Sequence, residues 1–121
     1  MILADTSIWV DHFRTADLGF TRLLDGGEVL VHPFVIGELC LGNAPPWDPA
    51  LAQLALLPAT VMATDAEVMG LISAERLFGR GIGYVDAHLL AATRLTPEAK
   101  LWTRDGRLHR AAVDLGVAYA L

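Results

Sequence analysis

Short apolar runs alternate along this chain with longer stretches whose apolar residues recur every three or four positions. The short runs predict buried strands and the longer stretches predict amphipathic helices. Met1 to Ala4 reads as a strand with Asp5 at its carboxyl end. Thr6 or Ser7 can cap a helix through Ile8, Trp9, Val10 and Phe13. A second helix is expected over Asp17 to Asp25, stopped by Gly26-Gly27, and a second strand over Glu28 to Val31. His32-Pro33 starts the next helix, because proline suits a first helical position, and Gly42-Asn43 ends it. Residues 44–49 form a proline-rich loop whose Asp48-Pro49 opens another helix.

Thr60 to Ala63 predicts a short strand. Thr64 with Glu67 matches a capping box, and its helix is expected to run to about Phe78. A glycine-rich loop at 79–83 precedes a helix from about Val85 to Leu95. Lys100 to Thr103 is expected as a strand, 106–115 as a helix and Val117 to Ala120 as a last strand. Strands alternating with helices in this way imply an α/β fold with a central parallel sheet of four to five strands and helices on both faces. At 121 residues the chain fits one domain, residues 1–121, with no internal repeat.

Four acids break this pattern. Asp5 ends an apolar strand, Glu38 interrupts an apolar helix, Asp86 opens one, and Asp105 follows Leu101-Trp102-Thr103-Arg104. A lone buried carboxylate is costly, and a chain with only nine basic residues has few cations to offset four of them. Convergence on a shared Mg²⁺ or Mn²⁺ is the economical alternative, since hard cations take oxygen ligands. Asp5 and Asp105 both follow strands, at the sheet edge where α/β proteins bind ligands. Each acid also has a plainer role open to it. Asp5 and Asp105 can cap helices, Asp86 suits a first helical turn, and Glu38 can lie on a partly exposed stripe.

Ser7 and Thr103 are placed to hydrogen-bond these carboxylates or their bound water. Arg80, Arg104 and Arg107 are candidate contacts for phosphate or for an acidic partner, and Arg104, Arg107 and Arg110 can equally form a solvated helix face. The four histidines show no metal-pair spacing, and His88 reads as a core or cleft histidine. Trp9, Trp47 and Trp102 can stack bases or fill the core. The net charge of −5 argues against holding nucleic acid by bulk charge, though not against a nucleic-acid enzyme. One cysteine, Cys40, forms no intrachain disulfide, and no leader or membrane-length apolar run is visible, so a cytoplasmic setting is expected. Charged residues make up only 19% of the chain, which hints at apolar surface covered by a partner.

The four motifs, taken in order, resemble the PIN-domain ribonucleases, and among them the toxins of the VapBC toxin–antitoxin type. Leu3 to Arg14 is similar to that family's first motif, and His32-Pro33 through Gly37-Glu38-Leu39 to its second. Gly81 to Ala91 is similar to the third, and Leu101 to Asp105 to the fourth. The resemblance implies a compact parallel α/β domain with an acidic pocket in which Asp5, Glu38, Asp86 and Asp105 bind Mg²⁺ or Mn²⁺ and catalyse. It implies endonucleolytic cleavage of RNA, a cognate antitoxin that blocks the pocket, and a homodimer. Many members carry a further acid shortly after the fourth carboxylate, where this chain has Gly106 and Arg107, a departure from a fully occupied two-metal site. Other readings are a small Mg²⁺-dependent phosphatase, a phosphoacceptor receiver domain, a non-catalytic binding module of this fold, and cleavage of DNA. Asp5-Thr6-Ser7 provides neither the acidic pair of a receiver nor the Asp-x-Asp of a haloacid-type phosphatase, and Lys100 begins its strand rather than ending it.

Overall fold

The computed structural model of the chain describes residues 1–42 and 47–120. The stretch Ala44-Pro45-Pro46 of the expected loop, with Asn43 before it, lies outside the described residues. The sheet is built from β1 (Ile2–Ala4), β2 (Val29–Leu30) and β3 (Lys100–Trp102), all parallel, in the order β2-β1-β3. Ile2, Leu3 and Ala4 are all buried, as are Leu101 and Trp102. Successive strand residues point to opposite faces, so both faces of the sheet are covered. The register sets Ala4 opposite Trp102, and the Asp5 amide donates to the Trp102 carbonyl at 3.0 Å. The residues that follow β1 and β3 therefore leave the sheet side by side.

Seven helices are seen among the described residues: α1 (Thr6–Arg14), α2 (Leu18–Asp25), α3 (Pro33–Cys40), α4 (Pro49–Leu54), α5 (Asp65–Ala74), α6 (Tyr84–Leu95) and α7 (Gly106–Asp114). Side chains cap six of them. Asp5, Asp17, Asp48 and Asp105 accept from first-turn amides through carboxylates, His32 through its ring and Thr64 through its hydroxyl. Of the caps the chain offered for α1, Asp5 is the one used, and Thr6 and Ser7 are not. Helix α6 is buried at every position from Ala87 to Thr93. A helix buried over two turns belongs at the centre of a core, and its first turn carries Asp86 to the carboxyl end of the sheet.

The expected four to five strands reduce to three among the described residues. Two parallel single-residue bridges stand where the outer strands were expected, Val31 with Ala59 and Leu101 with Ala118. The first bridge is made by the Val31 amide on the Pro58 carbonyl and the Thr60 amide on the Val31 carbonyl, and the Val61 amide, on the other side of the chain, donates to Thr96 Oγ1 at 2.9 Å. On the β2 side, His32 already caps α3 and Pro33 has no N–H for a ladder. Helix α5 stops at Ala74 rather than about Phe78. Arg76 takes a left-handed conformation (φ 53°), and the Leu77 amide turns back to the Ile72 carbonyl at 3.0 Å. No helix among the described residues is long and apolar enough to cross a membrane.

Candidate functional site

Asp5 is the most deeply set of the four acids, 7% exposed. Its Oδ1 accepts from the amides of Ser7 at 3.0 Å and Ile8 at 3.3 Å, and from the Ser7 hydroxyl. Its Oδ2 accepts from the Thr103 hydroxyl. Both hydroxyls are themselves held from β3's side, because Ser7 Oγ accepts from the Arg104 amide and Thr103 Oγ1 from the Asp105 amide, each at 3.0 Å. The parallel register of β1 on β3 creates this lattice. Ser7 and Thr103 therefore support a carboxylate by direct contact, as their positions in the chain suggested.

Asp105 caps α7, its Oδ1 accepting from Arg107 at 2.9 Å and Leu108 at 3.4 Å. Asp86 accepts from the Gly83 amide at 3.2 Å through Oδ2. Glu38 Oε1 accepts from the Thr6 hydroxyl at 2.7 Å, which ties α3 to the start of α1. The reading of the chain gave Thr6 no part in the site. Thr6 follows a candidate acid directly, and that adjacency was the only available signal. The expectation that all four acids are buried does not hold: Asp5 is buried, Asp86 is half-buried, and Glu38 and Asp105 are exposed. Exposure of Glu38 and Asp105 to water relieves the cost of their charge.

The carboxyl of Asp86 is raised above the usual carboxylate range, first by burial and then by the negative charges of Asp105, Asp5 and Glu38, while the Gly83 amide opposes the rise. Those three neighbours are the other three acids of the set. Asp86 thus lies within electrostatic reach of each of the other three, although the four come from separate parts of the chain. No three His, Cys, Asp or Glu side chains among the described residues are grouped closely enough to hold a metal ion as they stand. The donor set nonetheless fits a hard dication in its chemistry, being all oxygen, and a raised carboxyl among like charges marks a place that favours positive charge.

The three arginines differ. Arg80 pairs with Asp114 at 2.8 Å, and Arg104 with Asp11 at 3.2 Å and Asp17 at 3.8 Å. Arg107 forms no ion pair among the described residues, and its side chain lies against Gly81 in the loop before α6. Glu38 borders two surface depressions. One, of about 360 Å³, is lined by Val10, Phe13, Arg14 and Leu39, and the other, of about 450 Å³, by Pro33, Phe34, Leu41 and Val85.

A second group of polar residues sits behind Asp86. Tyr84 and His88, two residues either side of it, both bond Asp65 Oδ1, at 2.8 and 3.0 Å. His32 is fully buried; its Nδ1 accepts from the Phe34 amide, and neither its Nε2 nor Nδ1 of His88 has a partner among the described residues.

The family model described as the PIN domain matches residues 2–114. Ribonuclease VapC32 of Mycobacterium tuberculosis, from strain CDC 1551 / Oshkosh and from strain ATCC 25618 / H37Rv, is 47% identical to this chain over 120 residues. The match spans 99% of this chain and 97% of the relative.

Proposed function

This chain belongs to the PIN-domain family, and from that premise we propose that it is an endoribonuclease, the toxin of a toxin–antitoxin pair. We read residues 1–121 as one such domain acting in the cytoplasm. The observation that carries the reading is the crowding of Asp86 by Asp105, Asp5 and Glu38.

Asp5, Asp86 and Asp105, with Glu38 directly or through water, would hold Mg²⁺ or Mn²⁺. Such a dication, when bound, acidifies a water and offsets charge building on the phosphate. The protein's own contribution is positional. The hydroxyls of Ser7 and Thr103 hold both oxygens of Asp5, and Thr6 holds Glu38 so that its second oxygen stays free to orient an attacking water. Arg107, free of an acidic partner among the described residues, contacts a phosphate beside Asp105; Arg80 and Arg104 are engaged by acids and contribute less. The apolar depressions flanking Glu38, with Phe13 and Leu41 exposed on their rims, suit a cognate antitoxin that covers the acids. A homodimer is part of the proposal, and the mass of the isolated chain in solution tests it.

The test of activity is cleavage of total RNA by purified, antitoxin-free protein with Mn²⁺, with chelator, and with the Asp86→Asn variant. Discrete fragments that require both the metal and Asp86 are expected. Fragments that persist in the variant would show that the nuclease is a contaminant.

A further inference from the structure

We infer that the carboxyl end of β3 carries a nucleobase subsite, a cavity of about 330 Å³ lined by Trp102, Thr103, Arg104, Gly106, His109 and Tyr119, which takes one unpaired base beside the cleaved phosphate. This rests on the ribonuclease reading and names how that site grips its RNA.

The cavity follows from the sheet. The Leu101 amide donates to the Val117 carbonyl at 2.7 Å, and the Tyr119 amide donates to the Leu101 carbonyl at 2.9 Å. That bridge lays Tyr119 beside Trp102, with ring centroids 5.2 Å apart. The Arg104 guanidinium lies over the Trp102 ring at 5.4 Å, anchored by Asp11 and Asp17. One turn into α7, His109 stands on the same face as Gly106. Two aromatic rings, an imidazole and a guanidinium plane therefore border one hollow.

Three observations point to a base as the occupant. First, the hollow adjoins the acids: Thr103 lines it while bonding Asp5, and Gly106 follows Asp105 in the chain. Second, its lining holds no acid, and its one strong cation is already paired, which suits a neutral, flat group better than a phosphate. The Tyr119 hydroxyl and the His109 ring nitrogens form no hydrogen bond among the described residues, so they are open to the edge of a base. An apolar wall with a few convergent polar groups is how small flat ligands are recognised. Third, a chain of net charge −5 holds a polyanion poorly by charge, and stacking on aromatic and guanidinium planes is the grip that remains.

The test is binding in chelator, where a metal-dependent nuclease cannot cut, using a short labelled single-stranded RNA in which one position at a time is made abasic. Wild-type protein is expected to bind about tenfold more weakly when one particular base is missing. In Tyr119→Ala that penalty should vanish, because the ring that stacks the base is gone, and Tyr119→Phe should restore it. Equal affinity at every abasic position, or a penalty unchanged in Tyr119→Ala, overturns the subsite. Should Tyr119→Ala fail to fold, His109→Ala, on the other wall, replaces it with the same two outcomes. Cleavage with Mn²⁺, measured separately, reports on the ribonuclease reading itself, so the two can fail independently.

Discussion

Asp5 caps a helix with one oxygen and receives Thr103 with the other, so capping occupies only part of this carboxylate. Asp105 caps α7 through Oδ1 alone, and a cap of this kind is why the chain by itself left a second role open for both acids. A cap uses one oxygen and leaves the other for chemistry. Residue identity was informative for Ser7 and Thr103, since each lies two positions from a candidate acid. It was silent on Thr6 with Glu38, a contact spanning 32 residues. His32 supplies a prediction at this scale. Burial, with His88 adding to it, lowers its pKa to about 4 from an ordinary 6.5. The unfolded chain therefore binds a proton between those values that the folded chain refuses, and stability falls as pH drops through that window. The loss should approach roughly 3 kcal/mol at the acid end. His32→Asn keeps a cap acceptor and should flatten this slope in urea titrations run from pH 7 to pH 4. Identical slopes in the two proteins would rule out His32 as the source.

At the level of elements, the strand and helix succession was legible from periodicity, and the sites where it failed have local causes. Residues 60–63 have the apolar character of a strand, yet opposite them Pro33 has no N–H to carry the ladder past the bond of Thr60 to Val31. The end of α5 lacks the usual glycine, because Arg76 itself adopts the left-handed turn. The loop before α6 does follow its glycines. Gly81 sits at φ +78°, and a Cβ there would approach Arg107 Cδ and Nη1 at 2.9 Å. Gly79, at φ +73°, has nothing within 4 Å. Gly81→Ala and Gly79→Ala should each cost roughly 1–2 kcal/mol from the left-handed backbone. Only Gly81→Ala should also raise the KM for RNA several-fold, by displacing Arg107. Thermal melts with steady-state cleavage kinetics separate the two effects, and an equal KM in both variants would remove Arg107 from the phosphate contact.

Across the whole molecule, the acids are brought together by topology. Asp5 and Asp105 leave neighbouring parallel strands, Asp86 arrives on the buried α6, and Glu38 reaches in from α3. The ionised form of Asp86 is disfavoured in the fold by burial and by its three neighbours, so above the ordinary carboxylate range its charge works against folding. Asp86→Asn should therefore melt at a higher temperature than wild type in chelator. Mn²⁺ at about 100 times its dissociation constant should stabilise the wild type by about 2.7 kcal/mol and the variant by less. A wild-type melt that does not move with Mn²⁺ would count against the metal.

What the chain determined by itself was the kind of most elements, the outer strands excepted, and the four acids as candidates. Both depend on local periodicity and on carboxylates placed where apolar residues should be. Tertiary structure decided how many segments pair as strands, how exposed each acid is, and which of Arg80, Arg104 and Arg107 lacks an acidic partner among the described residues. Those outcomes turn on which distant group satisfies a given amide, carboxylate or guanidinium, and contacts between Val61 and Thr96, Glu38 and Thr6, or Arg104 and Asp11 exist only once the chain has closed on itself.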